Sequence, residues 1–497
     1  VTINDGVSGN NAISAAGDTS VSTSKTLSYF TGAGTDSFTG GFENDSLRVS
    51  AAAVGGDTLT GGSGTNSLTL SSAGAANLGV VSKFGNIFLA AGNSTVTVTD
   101  KTLSGGSVTI TDGASGNNTV SAAGDTSAST GKTLKYFTGT GTDRFTGGFE
   151  NDAVHVLAAP VGGDTLTGGT GANSLILSSA GAANLAGVSK FSNIFFAAGN
   201  STVTVTDKTL SGGSVTINDG ASGNNTICAA GDTSASTGKT FKYFTGAGTD
   251  SFTGGLENDS LQVLAAAVGD YTLTGGSGSN TLTLSSAGTA NPGGVSKFAT
   301  INLAAGNSTV TVTDKTLSGG AVTINDGASG NNTISAAGDT SASTGKSLTY
   351  RAGSGTNGFT GWSENDTIYA GTGSGNYTAG SGTDSFVFIK SKLPSQTLDN
   401  FQESTDDILV YGTYSAGGFD LGSTDNALNP TTPTAISVAD FVSNASGDFI
   451  ASTQRFAYDT TNGNLLYSAT GSKTSESLVA HLTGELGFTA NNVLFDH

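Results

Sequence analysis

The chain has 497 residues, 76 of them Gly, and 38 Asp and Glu against 19 Lys and Arg leave a formal charge of −19. With Gly at roughly 15% against a usual ~7%, 11% charged residues, 5 Pro and no Met, it is neither an ordinary helical enzyme nor a highly charged disordered chain. Gly shows no period of three, which excludes collagen.

The acidic balance argues against a nucleic-acid partner, which needs a basic face to neutralise phosphates. Divalent cations become the natural counter-ions. A single Cys, Cys228, rules out intrachain disulfides. No apolar stretch approaches the ~20 residues that cross a bilayer, so membrane insertion is not expected. No charged-then-apolar leader opens the sequence at Val1. The missing initial Met reads as a chain that begins inside something longer.

In chain order, residues 1–6 (VTINDG) return almost unchanged at 108–113, 215–220 and 322–327, at a constant step. Such self-similarity signals an array of structural repeats. Residues 93–102 (NSTVTVTDKT) keep the same step, reappearing from Asn200 and Asn307. The expected units are repeats at 1–107, 108–214 and 215–321 and a partial fourth at 322–389. A less repetitive C-terminal region, 390–497, follows.

Within one copy, short alternating pairs such as Leu27/Tyr29, Leu47/Val49, Leu68/Leu70, Ile87/Leu89 and Val96/Val98 are separated by Gly, Asn, Asp and Ser. They predict short strands joined by tight turns. Helical patterning is confined to the tail, where 437–442 and 476–482 predict brief helices. A spacing of about 21 residues, as from Asp36 to Asp57, puts about five coils in each copy. At ~4.8 Å per coil, a copy rises ~24 Å and the array forms a rod on the order of 100 Å long.

The turns carry the chemistry. Residues 32–39 (GAGTDSFT), 40–48 (GGFENDSLR) and 61–69 (GGSGTNSLT) each join a Gly-rich turn to an acidic or amide residue and then to one large apolar side chain, Phe38, Leu47 or Leu68. Gly permits the positive φ of such turns. Aspartates stacked on one edge repel one another unless a hard cation lies between them, and Ca²⁺ takes six to eight oxygen ligands.

These blocks resemble the G-G-x-G-x-D-x-U-x nonapeptide of hemolysin-type (RTX) calcium-binding β-roll proteins, most clearly at residues 380–388 (GSGTDSFVF). The order of motifs at 398–408, 456–467, 478–482 and 488–495 is similar to the C-terminal capping and secretion region of proteins exported by type I systems. The resemblance implies a secreted, extracellular or cell-surface protein and an all-β fold, a right-handed parallel β-solenoid with a C-terminal β-rich cap. It also implies Ca²⁺ at Asp36/Asp57, Glu43/Asp45, Asp143/Asp164, Glu150/Asp152, Asp250, Asp259, Asp366 and Asp384. The chain departs from the pattern at Glu43, where the motif has Gly, and at Asn66 and Asn357, where it has Asp.

No catalytic arrangement is expected. Cys228 takes the place of Ser14, Ser121 and Ser335, so a small side chain suffices there. His155 matches Arg48, Gln262 and Tyr369 and is expected to face solvent, while His481 and His497 form no metal or triad spacing with it. The pairs Glu43/Asp45, Glu150/Asp152, Glu257/Asp259 and Glu364/Asp366 recur too regularly for a single glycosidase site. Thr95, Thr97 and Thr99 give a hydroxyl face once per copy, which reads as an ordinary solvated strand. The expected function is a non-catalytic scaffold that self-associates into a bacterial surface layer, matrix or filament, with cell-surface polysaccharide as a further partner. A repeat adhesin or an ice- or carbohydrate-binding module is the alternative, and a polysaccharide-processing enzyme the third.

Overall fold

A computed structural model describes residues 1–6, 9–18, 25–113, 115–127, 131–220, 222–231, 239–327, 329–340, 346–388, 395–411, 413–415, 418–420, 433–484 and 487–496. His497 and the expected boundary at Ile389 lie outside them. Among the described residues the fold is all-β, with 43% strand and 8% helix, and forms a parallel β-solenoid of about 18 turns. Its contacts divide into two compact units, Val1–Glu257 and Asn258–His497. Among the described residues no helix is long and apolar enough to cross a membrane.

In the first unit one sheet stacks Thr2–Asn4, Thr26–Phe30, Asn44–Val49, Ser67–Leu70, Asn86–Phe88 and Val108–Thr111, all parallel. Register partners run Thr2, Ser28, Ser46, Ser67, Asn86, Thr109, so successive coils differ in length, the longest from Thr2 to Ser28 and the shortest from Ser28 to Ser46. Turns of Gly, Asn and Ser absorb the difference, while the strands keep their register. Further parallel sheets pass through Ser37–Thr39 and Thr58–Thr60, and through Ser94–Thr99, Thr119–Gly124 and Arg144–Thr146.

Alternation fixes which side chains enter the core. Tyr29, Leu47, Leu68, Ile87, Ile110 and Tyr136 form one buried column, and Phe38 and Phe145 come from facing strands. Tyr29 stacks on Phe38 at 6.0 Å and Tyr136 on Phe145 at 5.9 Å, so aromatic pairs bridge the two sides of the thin core. Val96 and Val98 are fully buried, and Thr95 on the opposite face of their strand is exposed.

In the second unit the coils from Thr349 to Thr367 and from Thr367 to Ser385 are equal in length. Beyond them, Gln396–Asp399 pairs in parallel with Glu476–Leu482, which pairs antiparallel with Asn464–Ser468, itself antiparallel to Phe456–Asp459. Residues 476–482 are therefore a strand, not the brief helix that the sequence suggests. Val479, Ala480 and Leu482 are buried within that sheet, and tertiary pairing overrides a weak helical pattern. Of 437–442, a single 3₁₀ turn at Val438–Asp440 forms before the strand Phe441–Asn444 begins.

Candidate metal centre

The acidic residues lie inside the coils. Asp45 sits two positions before buried Leu47, and Asp36 two before buried Phe38, so strand parity carries both carboxylates inward. Asp36, Asp45, Asp57, Asp143, Asp152, Asp164, Asp250, Asp259, Asp366 and Asp384 are all buried, as are Glu43 and Glu150.

Their first role is a ladder of side chain to main chain bonds between coils. The Asn11 amide donates to Asp36 Oδ1 at 2.9 Å, and the Asp36 amide to Asp57 Oδ1 at 2.8 Å. The amides of Asn118 and Asp143 donate in the same way to Asp143 Oδ1 and Asp164 Oδ1, both at 2.8 Å. The Asn225 amide donates to Asp250 Oδ1 at 2.9 Å. Parallel rungs use asparagine: Asp45, Asp152 and Asp259 donate their amides to Asn66, Asn173 and Asn280, each at 2.8 Å.

Asparagine and aspartate rungs differ in what they leave over. Asn66 Nδ2 donates to Gly61 O and to Lys83 O, the latter at 3.2 Å, while Asn173 and Asn280 donate to Lys190 O at 3.3 Å and Lys297 O at 3.1 Å. Those rungs satisfy themselves. Asp384 is also satisfied, because Oδ1 accepts from the Asp366 amide at 2.8 Å and Oδ2 from the Gly380 amide at 3.1 Å. By contrast, Oδ2 of Asp36, Asp57 and Asp164, and both carboxylate oxygens of Glu43, Asp45 and Asp152, are buried outside hydrogen-bonding geometry. An uncompensated buried carboxylate is costly.

The acids also cluster across coils. Burial pushes Asp45 up to about 6; the nearby Gly41 amide opposes the rise, and Glu43 and Asp18 add to it. Burial pushes Asp152 up to about 7; Asp125 and Glu150 add to the rise and the nearby Gly148 amide opposes it. Burial pushes Asp366 up to about 8, helped by Asp384, Glu364 and Asp339. The groups Asp18/Glu43/Asp45, Asp125/Glu150/Asp152 and Asp339/Glu364/Asp366 are thus three equivalents of one arrangement. Gly40 and Gly41 make the close approach possible: a Cβ on Gly40 would collide with Asp45 Oδ2, and one on Gly41 would lie 3.2 Å from the Asp18 Cβ.

Asp18, Asp125 and Asp339 are the members that motif spacing misses, since they belong to the preceding coil. Their signal is recurrence: AAGDT returns at the step of the repeat, with Asp232 as the fourth copy, outside the described residues. Among the described residues no group of three or more His, Cys, Asp or Glu closes into a metal-ligand set. The ion pair of Lys473 with Asp448, at 2.6 Å, lies elsewhere, in the C-terminal region. The side chains gathered in each cluster are carboxylates, and such a donor set fits a hard cation like Ca²⁺ better than a soft one.

The remaining candidates join no metal-ligand group of His, Cys, Asp or Glu among the described residues. Cys228 is half-buried. His155 is half-buried, not free in solvent: its ring stacks on Phe137 at 4.1 Å, and burial followed by nearby Lys135 lowers its pKa. His481 Nδ1 lies 3.0 Å from Asn464 Oδ1. No family model, curated protein or solved structure matches the chain.

Proposed function

We propose that this chain is a non-catalytic, extracellular structural protein of the RTX type, a calcium-stabilised β-solenoid that self-associates into a surface layer, matrix or filament. On this reading the solenoid is right-handed and built from equal modules at 1–107, 108–214 and 215–321, with a partial module at 322–389. Residues 390–497 cap it and carry a type I export signal.

The observation that carries the reading is the group around Asp45. Two carboxylates, Glu43 and Asp45, are buried with their four oxygens outside good hydrogen-bonding geometry, Asp45 eased only by the nearby Gly41 amide, beside a third at Asp18. A divalent cation held there would neutralise the group and link adjacent coils. The equal coils from Thr349 to Ser385 support the family resemblance, since the step from Asp366 to Asp384, |i−j| = 18, accommodates two nonapeptide units. Glu43, Asp45, Asp152 and the oxygens of Asp36, Asp57, Asp164 and Asp366 that lack hydrogen bonds are the residues that would hold the ions.

Assembly follows from solenoid physics, because stacked parallel coils present unpaired strand edges that must be covered. Negative-stain electron microscopy with millimolar calcium and with chelator tests the whole reading. A lattice or fibre in calcium that disperses in chelator is expected. Isolated particles under both conditions would contradict self-association.

A further inference from the structure

The outward face of the first unit's main sheet carries a surface that the acid clusters do not use. Strand parity that buries Tyr29, Ile87, Tyr136, Ile194 and Tyr243 turns Phe30, Phe88, Phe137, Phe195 and Phe244 outward. The register aligns these five rings in one column, interrupted by Arg48, Thr69, Thr111, His155, Ile176 and Asn218. Four of them, Phe30, Phe88, Phe195 and Phe244, remain between 37% and 41% exposed. Successive rings are alternately three and two strands apart, about 14 and 10 Å at the ~4.8 Å strand spacing.

A second column runs beside the first, two residues earlier on each strand. It holds Ser28, Ser46, Ser67, Asn86 and Thr109, and then Lys135 and, further on, Lys242. Neither column contains Asp or Glu, in a chain with twice as many acidic as basic residues. Arg48, Lys135 and Lys242 are exposed on it. The charge is segregated: carboxylates go inside the coils, and this face keeps rings, hydroxyls, amides and cations.

A second copy of the chain is a poor occupant. Exposure near 40% of the ~200 Å² that an aromatic side chain can bury leaves roughly 80 Å² per ring, about 320 Å² for the four exposed rings, less than half of the ~800 Å² per partner of a standard interface. Polar residues also separate the rings, so no continuous apolar patch forms. A linear polymer with apolar ring faces at a regular pitch and polar edges fits this spacing. In the second unit the outward positions Tyr369, Val387 and Leu409 are instead buried together, with partly buried Leu494 packed against them.

We propose that this face docks an extended acidic polysaccharide lying across the strands. The Phe rings contact the apolar faces of the sugars, the Ser, Thr and Asn column hydrogen-bonds their hydroxyls, and Arg48, Lys135 and Lys242 pair with their carboxylates. The site is independent of the calcium clusters.

Isothermal titration at fixed calcium tests it with an oligouronide of about ten sugars and a neutral cello-oligosaccharide of equal length. The oligouronide binds, the neutral chain binds more weakly, and added salt weakens the first. Phe88→Ala with Phe195→Ala, and separately Lys135→Glu with Lys242→Glu, each reduce affinity by about tenfold or more, with an unchanged thermal midpoint. Wild-type protein that binds neither oligomer, or variants that keep wild-type affinity, would overturn the proposal. Equal binding of the neutral oligomer would overturn the acidic assignment. If the Phe variant dissolves an oligomer seen by sedimentation while oligouronide affinity stays intact, the face is a contact between copies and the proposal falls.

Discussion

The main-chain amide of Asp36 donates to Oδ1 of Asp57 at 2.8 Å, from one coil to the next. One carboxylate oxygen thereby ties two coils together while the other, Oδ2, stays buried without a hydrogen bond. Substitutions at Asp57 separate these two roles. Asp57→Ala strands the Asp36 amide and lowers stability by about 1–3 kcal/mol. Asp57→Asn keeps the acceptor and removes a buried charge, so in chelator it raises the thermal midpoint. Thermal unfolding of the two variants in chelator, expected to shift in opposite directions, checks this.

Asn66 provides the reverse experiment. Its Nδ2 donates to Gly61 O and Lys83 O, and Asn66→Asp replaces that donor with an acceptor facing two carbonyls. The metal-free variant loses about 2–4 kcal/mol. Calcium restores part of that loss, because a carboxylate and two carbonyls now face the site as oxygen ligands. Urea unfolding with and without calcium measures both.

The pH dependence follows from Asp45, Asp152 and Asp366, raised by burial from 3.8 to about 6, 7 and 8. Folded protein holds these protons more tightly than unfolded chain, so the contribution to stability is complete below about pH 4 and is lost as pH rises through roughly 6 to 8. Metal-free protein therefore melts at progressively lower temperature from pH 5 to pH 8. Calcium flattens that slope, because it competes with protons for the same oxygens. Melting curves at several pH values, with and without calcium, decide the point.

Lys83, Lys190 and Lys297 occupy left-handed backbone at φ 58, 57 and 58. Lys83→Gly relieves that conformation at the expense of unfolded-chain entropy, for a net gain of about 0.5–1 kcal/mol. Denaturant unfolding, with calcium held constant, reads the gain.

The strands were legible because pairs such as Leu27/Tyr29 and Leu47/Val49 alternate cleanly about polar neighbours. The coil lengths were not. The regular spacing suggested by Asp36 and Asp57 averages unequal steps, since Gly- and Asn-rich turns set the excursion of each loop and no side-chain period records it. Glu476–Leu482 deceived because Leu478 and Leu482 are spaced as on a helix, whereas pairing with Asn464–Ser468 selects a strand. At the site, Glu43 and Asp45 stand out as a recurring pair, and their inward direction is readable from the parity of Leu47. Asp18 is not readable by local spacing, because it reaches Asp45 from the preceding coil, far upstream in sequence.

Calcium titration of the intact chain, followed by far-ultraviolet circular dichroism and thermal melting from a chelated start, tests the central claim most directly. Saturable binding that raises the melting temperature at neutral pH is expected, with the effect reduced in a protein carrying Asp45→Asn, Asp152→Asn and Asp366→Asn together. An unchanged β signal and melting temperature in chelator and in millimolar calcium would contradict it.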